Sequence, residues 1–244
     1  MVTGAGSGIG RALTTELLRR GAEVHAADRD AASLATLPDH PKLTTHVVDV
    51  ADRDQVAGLV AAPERLDLLF NNAGVVAGGG LEHLDEATWR RVVDVNLWGV
   101  VHGTQLGYTR MLAQGSGHIV NTSSSAGALP VAGSTAYAAT KHAVVGLSTS
   151  LREEAKRHGV RVSVVLPGLV DTAIFGSATN VGGYDYAARV EKVPFRKVSP
   201  EQAARAILDG VQRNRATIAF PAYNRALLRL YRLAPGVMAP LVNR

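Results

Sequence analysis

The chain has 244 residues, of which 46% are hydrophobic and 19% are charged, as is usual for a globular protein with a sizeable core. We therefore predict one domain that spans residues 1–244. Because the chain has no cysteine, disulfides and thiolate chemistry are excluded. No apolar run reaches the roughly 18 residues that a membrane span needs, and no signal peptide opens the chain, so the expected location is the cytoplasm.

The formal net charge of +5 is concentrated near the carboxyl end. After Asp209 the chain has six arginines and no acidic residue, and without those six the remaining 20 basic residues face 21 acidic ones. The body of the protein is therefore close to neutral. This balance argues against nucleic acid as a partner.

Residues 222–244 are predicted to form a basic amphipathic tail. Two interpretations of its helix are open. It packs its apolar side on the body or on a neighbouring subunit, or it lies on an anionic membrane surface. On a helix, three arginines share one stripe and four apolar residues lie opposite: Arg225, Arg229 and Arg232, against Leu227, Leu230, Tyr231 and Ala234.

A glycine-rich turn opens the chain as Thr3-Gly4-x-x-x-Gly8-x-Gly10 and is followed by a helical run over residues 11–20. Glycines at these positions allow a tight turn and let a phosphate approach the helix N-terminus, where free N–H groups favour anions. A strand over residues 23–27 then ends in Asp28, twenty residues beyond Gly8. A dinucleotide-binding fold places its ribose-binding carboxylate at this position.

Predicted strands and helices alternate along the rest of the chain, which indicates an α/β fold with a parallel sheet covered on both faces. Gly, Asn, Ser and Pro gather just after the strands, at the edge where open α/β sheets bind ligands. Strands are predicted over residues 43–48, 66–70, 118–121 and 160–166, and helices over residues 53–62, 86–114 and 137–158.

Tyr137 and Lys141 lie four residues apart, hence one turn apart on the same face of a helix. A phenol with a pKa near ~10 is a poor base at neutral pH, and a neighbouring ammonium lowers that pKa. With a serine hydroxyl to hold a carbonyl oxygen, such a pair forms an acid–base site for alcohol and ketone chemistry. The spacing alone is a weak signal.

With these motifs in order, residues 2 to 220 resemble the short-chain dehydrogenase/reductase family, in the branch with chains of this length. The resemblance rests on the glycine-rich turn, Asp49, Asn71-Asn72-Ala73-Gly74, Asn96, Ser124 thirteen residues before Tyr137, Lys141, and Pro167-Gly168 followed by Thr172. It implies a Rossmann-like, doubly wound parallel sheet of about seven strands, with helices on both faces, that binds NAD or NADP.

The resemblance also implies catalytic roles. Tyr137 would donate or accept the proton, and Ser124 would hydrogen-bond the substrate oxygen. Lys141 would bind the nicotinamide ribose and lower the pKa of Tyr137. Asn96 would support a water that leads protons to Lys141.

The implied cofactor contacts lie on the loops that follow the strands. Asp49 and Val50 would contact adenine, the segment 72–74 would pass the adenosine, and Val170 and Thr172 would hold the carboxamide. No metal site is expected. The full set is Thr3, Gly4, Ser7, Gly8, Ile9, Gly10, Asp28, Arg29, Asp49, Val50, Asn72, Ala73, Gly74, Tyr137, Lys141, Pro167, Gly168, Val170 and Thr172.

Asp28 favours NAD over NADP, because a carboxylate there accepts hydrogen bonds from both ribose hydroxyls and repels a 2′-phosphate. Position 7, where members of the family that use NADP often carry a basic residue, is Ser7. Arg29 could pair with a 2′-phosphate. The alternative is an exposed arginine that stacks loosely on adenine.

Two segments depart from the family pattern or vary within it. Only Val2 remains of the apolar first strand, so we expect that the given start is late or that the chain is trimmed. Residues 173–198 mix glycine, aromatic and charged residues, as expected of the lid that selects the substrate. The apolar loop 128–132 hints at an apolar alcohol or ketone.

Two functions remain. The first is an NAD-dependent oxidoreductase that interconverts a secondary alcohol and a ketone, with Tyr137 as acid and base. The second is a dinucleotide-binding sensor or scaffold without turnover, which usually lacks the tyrosine or the lysine. The partner is a small-molecule alcohol or ketone. The resemblance also implies a homodimer or homotetramer through the helices over residues 86–114 and 137–158.

Overall fold

The computed structural model describes residues 1–242, with side chains through residue 239. Asn243 and Arg244, the end of the predicted tail, lie outside the described residues. Within the described part, seven parallel strands form one sheet with helices on both faces. The predicted Rossmann-like α/β fold is confirmed.

Most of the strands follow apolar runs of the sequence. They are β1 Val2–Thr3, β2 Val24–Asp28, β3 Leu43–Val47, β4 Leu68–Asn71, β5 Ala77–Gly78, β6 Gly117–Thr122, β7 Val160–Pro167, β8 Thr179–Asn180 and β9 Thr217–Phe220. The order in the main sheet is β3-β2-β1-β4-β6-β7-β9, and β5 and β8 form a separate two-stranded sheet.

The α-helices cover the main sheet and continue into the tail. They are α1 Gly8–Arg19, α2 Ala31–Leu34, α3 Arg53–Ala61, α4 Glu86–Val93, α5 Gly99–Gln114, α6 Thr135–Ala155, α7 Tyr186–Glu191, α8 Pro200–Gln212, α9 Ala222–Leu233 and α10 Pro235–Val242. Single 3₁₀ turns lie at Leu81–His83, Ser125–Gly127 and Lys156–His158.

The central strand β1 is two residues long and pairs on both sides. Val2 lies opposite Ala26 of β2 and Phe70 of β4. The Met1 ammonium donates a hydrogen bond to the carbonyl of Leu68 at 2.9 Å, and the amide of Phe70 donates to the Met1 carbonyl. The expectation about the start of the chain stays a prediction.

Apolar residues of the strands are buried against helices on both faces of the sheet. On one face, Leu13 of α1 and Ile207 of α8 pack with Phe70 in one cluster. On the other, the cluster includes Leu59 of α3 and Met111 of α5. Burial of one such side chain contributes about 1.5–3 kcal/mol, so these two layers carry most of the stability.

The predicted helix over residues 86–114 has the expected extent, but a π-helical turn at Asp94–Trp98 interrupts it. Asn96 lies in this turn and is fully buried. π-Helical turns occur frequently at functional sites. No pattern in the sequence indicated this one.

The tail helix α9 packs on the body through one face only. The Asn224 amide is buried and donates to the carbonyl of Leu166 at 2.9 Å. Leu227 and Tyr231 are half-buried, as the predicted stripe requires, whereas Leu230 and Ala234 are exposed. The body therefore covers only part of the predicted apolar stripe, and what its exposed part contacts stays a prediction. Among the described residues, no helix combines the length and the apolar run that a membrane span needs.

Candidate active site

One large cavity, about 1270 Å³, opens at the carboxyl edge of the sheet. The strand order reverses there, with β2 and β4 on opposite sides of β1, and open α/β sheets bind their ligands at such a point. Most of the predicted site residues line this cavity: Gly4, Ser7, Gly8, Ile9, Asp28, Arg29, Asp49, Val50, Asn72, Ala73, Gly74, Ser124, Tyr137, Lys141, Pro167, Gly168, Val170 and Thr172.

Thr3, Gly10 and Asn96, by contrast, are not part of the cavity wall. The Thr3 hydroxyl accepts hydrogen bonds from the amides of Asn72 and Ala73 at 3.0 and 3.2 Å, so it fixes the loop after β4. A Cβ on Gly10 would lie 2.0 Å from the carbonyl oxygen of Gly4. Thr3 and Gly10 therefore hold the loops in place and do not face the cavity.

The loop between β1 and α1 is shaped by its glycines. Gly4 has a φ of +64°, and a Cβ there would lie 2.8 Å from the Cα of Ala73. Only glycine combines that backbone with so close an approach. The loop therefore brings backbone and small side chains to the start of α1, where free N–H groups favour an anion.

Asp28 ends β2 and closes this part of the site. One carboxylate oxygen accepts from the amide of Gly6 at 2.9 Å and the other from the amide of Asp30 at 3.1 Å. A carboxylate has about four acceptor positions, so further bonds from a ligand remain possible. Arg29 lies beside it at the cavity wall and is exposed.

Ser124, Tyr137 and Lys141 lie together at the middle of the cavity. Ser124 follows β6, and its hydroxyl accepts from the amide of Ala126 at 3.2 Å. Tyr137 and Lys141 occupy successive turns of α6. The Lys141 ammonium lies 5.6 Å from the centre of the Tyr137 ring and donates to the carbonyl of Thr122 at 3.0 Å.

The ionisation of this pair differs from the sequence-based expectation. Burial raises the pKa of Tyr137, the neighbouring Tyr186 phenol raises it further, and a hydrogen bond with Ser124 lowers it. The expected lowering by Lys141 is therefore not what this structure supports. Burial lowers the pKa of Lys141 to about 8, because the ammonium loses its hydration.

Asn96 lies behind the cavity wall and near Lys141. Its amide oxygen accepts from the amide of Val75 at 2.8 Å, and its amide nitrogen donates to the Val75 carbonyl at 2.9 Å. A Cβ on Gly74 would lie 3.3 Å from the Asn96 oxygen and 3.4 Å from the Lys141 nitrogen. The two side chains therefore flank the same glycine, and Asn96 fixes the backbone there.

Aromatic side chains of the lid and of α9 line the other end of the cavity. Tyr186 is buried in a cluster with Tyr137, and its ring stacks on Phe175 with the centroids 6.1 Å apart. Tyr223 and Leu227 of α9 also line the wall. Tyr186, Tyr223 and Leu227 were not predicted from the sequence as site residues. The position of Tyr223 just after β9 was the one signal, because ligand sites gather there.

The lid is held by contacts between distant parts of the chain. β8 pairs with β5, and the Tyr184 hydroxyl donates to the carbonyl of Ala132 at 3.3 Å. The Tyr184 ring fills space beside glycines, since a Cβ on Gly78 would lie 2.8 Å from it and one on Gly133 2.5 Å. Larger residues at either position would displace the ring.

The donors and the shape of the cavity fit a nicotinamide dinucleotide. The loop after β1 offers backbone N–H groups at a helix N-terminus and has glycine at positions 4, 6 and 8, which suits a pyrophosphate. The Asp28 carboxylate suits ribose hydroxyls, and the buried Lys141 ammonium suits a second ribose. All three lie along one continuous cavity that also reaches Tyr137.

Comparisons with known proteins agree with this geometry. The family model described as short chain dehydrogenase matches residues 1–181. SadH of Mycobacterium tuberculosis, which carries an oxidoreductase name, is 38% identical over 89% of this chain and 84% of its own. Levodione reductase of Leifsonia aquatica is 38% identical over 70% of this chain and 69% of its own.

The fold matches solved structures along almost all of its length. A short chain dehydrogenase/reductase from Burkholderia phymatum in complex with NAD superposes with a TM-score of 0.88 at 31% identity, covering 97% of this chain and 93% of that one. The chain belongs to the short-chain dehydrogenase/reductase family. It is an NAD(P)-dependent oxidoreductase.

Proposed function

We propose that this protein interconverts a secondary alcohol and a ketone with NAD as its cofactor. The observation that carries the proposal is the placement of Ser124, Tyr137 and Lys141 in one cavity whose far end holds the Asp28 carboxylate. The name of levodione reductase, a relative, is consistent with ketone chemistry. A sensor or scaffold without turnover would have no need of this acid–base group.

The preference for NAD rests on the end of β2. A 2′-phosphate would bring two further negative charges close to the Asp28 carboxylate, which already uses both oxygens on backbone amides. Ser7 offers no cation to offset them. Arg29 is the one feature here that favours NADP, because its exposed guanidinium could pair with such a phosphate.

Residues at the two ends of the cavity would bind different parts of the cofactor. The loop after β1 would hold the pyrophosphate, Asp28 one ribose, and Lys141 the other. Val170 and Thr172, after β7, would hold the carboxamide. The bound cofactor supplies a hydride acceptor or donor.

The proton chemistry would belong to Tyr137, with Ser124 as its partner. The Ser124 hydroxyl would bond the substrate oxygen and orient it beside the phenol. Because burial raises the pKa of Tyr137, the phenol keeps its proton at neutral pH and is ready to donate it to a carbonyl oxygen. In the reverse direction the phenol must first lose that proton. Lys141 would take part in this exchange, and Asn96 would support a water that leads protons to Lys141.

We further propose that the protein assembles as a homodimer or homotetramer through α4, α5 and α6. Two large apolar side chains in this region are exposed: Trp98 before α5 is 51% exposed and Leu112 on α5 is 38% exposed. Sedimentation of the wild type beside Trp98→Ser tests this. A smaller species in the variant supports the interface, and equal masses contradict it.

The function is tested by spectrophotometry of the reduced nicotinamide with a panel of secondary alcohols and ketones. We expect turnover with NAD, a much lower kcat/KM with NADP, and a turnover roughly a thousandfold lower for Tyr137→Phe. If NAD binds but no member of the panel reacts in either direction, the sensor alternative is favoured. If NADP is the better cofactor, the assignment of Asp28 is wrong.

A further inference from the structure

Helix α9 presents two unlike stripes to solvent beside its inward face. Arg225, Arg229 and Arg232 form the first, and all three are exposed. The second is apolar: Leu230 is 52% exposed and Leu233 is 82% exposed. At 100° per residue the two stripes are adjacent on the helix, so cations border exposed apolar surface along its length.

Further exposed apolar surface follows α9 in the chain. Val237 of α10 is 68% exposed, and residues 233–242 contain no charged side chain. Exposed apolar side chains that stand singly need no explanation, but a row of them beside a row of cations is unusual for a surface that faces only water.

A loop of the lid has the same composition. Residues 192–196 are exposed and set Val193 and Phe195 among Lys192 and Arg196. The Phe195 ring stacks on Tyr223 of α9, with the centroids 4.5 Å apart and the planes within 7°. The lid loop and α9 are therefore neighbours, and we call residues 192–196, α9 and Val237 together the mouth surface.

The net positive charge of residues 192–244 favours an anionic partner. From Lys192 to the end there are ten basic residues and two acidic ones, Glu201 and Asp209. A second copy that docked symmetrically on α9 would set arginines against arginines. Contact with nucleic acid phosphates would use the cations and leave the apolar stripe in water. An anionic lipid surface uses both stripes, since the apolar one enters the acyl boundary and the arginines meet the headgroups.

We propose that the mouth surface docks on an anionic membrane, with α9 parallel to the bilayer plane. Phe195, Tyr223 and Leu227 also line the cavity, so docking would set its mouth against the lipid. An apolar alcohol or ketone dissolved in the bilayer would then reach Tyr137 without crossing water. This last consequence rests on the proposed dehydrogenase function, and the docking itself does not.

Flotation of the full-length protein with vesicles tests the docking. We expect binding to phosphatidylcholine vesicles that contain phosphatidylserine, weak binding to phosphatidylcholine alone, and loss of binding at high salt. Each basic residue near the surface contributes about fivefold, so Arg225→Gln/Arg229→Gln/Arg232→Gln should weaken the partition coefficient roughly a hundredfold. Leu230→Ser/Leu233→Ser should weaken it as well.

Matched controls lie at the opposite edge of the sheet, on and after β3. Val47 is 62% exposed there, and Arg53 at the start of α3 is also exposed. Val47→Ser and Arg53→Gln should bind vesicles as the wild type does. Binding that does not depend on phosphatidylserine, or that falls equally in the control variants, overturns the proposal.

Two further measurements separate the alternatives. If Leu230→Ser/Leu233→Ser changes the sedimenting mass without vesicles, the stripe is a subunit interface and the proposal is wrong. Turnover of a water-soluble alcohol without vesicles should be unchanged in the same variant, so a failure of the dehydrogenase function is distinguishable from a failure of docking.

Discussion

The two ends of the cavity are built in different ways. The proposed cofactor end consists of backbone and short side chains on loops after β1, β2 and β4, held by hydrogen bonds such as that of Gly6 with Asp28. The proposed substrate end consists of aromatic side chains from the lid and from α9, held by ring contacts. On this proposal the first end has to fit one cofactor. The second can change its side chains without disturbing the sheet, which is how one fold serves many substrates.

The largest effect is expected where the two ends meet. Tyr137→Phe removes the proposed proton donor and should lower turnover roughly a thousandfold, within the range for general acid–base catalysis. NAD binding, followed by fluorescence, should change little. Tyr108→Phe is the matched control, because Tyr108 is half-buried against the core cluster of α3 and α5 and does not line the cavity. A comparable loss of turnover in Tyr137→Phe and Tyr108→Phe would mean that Tyr137 has only a structural role.

The next largest effect tests how rigid the cofactor end is. In Gly10→Ala the new methyl would lie 2.0 Å from the Gly4 carbonyl oxygen, so backbone must shift at a cost of about 1–3 kcal/mol. In Gly58→Ala on α3 nothing lies within 4 Å, and the helix should gain about 0.5–1 kcal/mol. Urea unfolding of both variants measures the difference, and equal stabilities would contradict the close approach at Gly10.

A smaller effect is expected on the choice of cofactor. Asp28→Ala removes the charged oxygens that would accept hydrogen bonds from the ribose. It should weaken NAD binding roughly ten- to a hundredfold, with less effect on NADP binding. Titration with NAD and with NADP gives the ratio of the two dissociation constants. Asp39 is an exposed carboxylate outside the cavity, so Asp39→Ala should leave that ratio unchanged. If Asp28→Ala weakens NADP as much as NAD, the carboxylate does not discriminate between them.

The smallest effect is expected at the substrate end. Tyr186→Ala removes a ring that stacks on Phe175, and loss of such a contact costs about three- to tenfold in binding. The KM for the alcohol or ketone should rise while the affinity for NAD is kept. Tyr186→Phe, which retains the ring, should resemble the wild type in KM. Equal loss of NAD affinity in Tyr186→Ala would show that the two ends are not independent.

The same contrast explains what the sequence could predict. Local rules locate the glycine-rich turn, Asp28 at a strand end, and the Tyr137–Lys141 pair one turn apart, and the structure brings these residues to one cavity. Spacing does not show which way a residue faces. Thr3 and Gly10 belong to the same motif but support the loops from behind.

The remaining features depend on contacts between distant residues. Tyr184 fits beside Gly133, and Asn96 binds Val75 from a π-helical turn, and neither contact leaves a periodic signal in the chain. The pKa of Tyr137 is likewise set by its burial and by Tyr186 from the lid. The motif in the sequence shows only Lys141 beside Tyr137, and an ammonium alone would lower the pKa of Tyr137.

On the proposed mechanism, hydride moves between an alcohol carbon and NAD within this cavity while Tyr137 accepts or donates the proton of the substrate oxygen. A secondary alcohol deuterated at the carbinol carbon tests it most directly, by mass spectrometry of the reduced cofactor. The account predicts that the deuterium is recovered in the cofactor for the wild type and that Tyr137→Phe, although it binds NAD, transfers almost none. A reduced cofactor without deuterium, or equal transfer in the variant, would contradict the account.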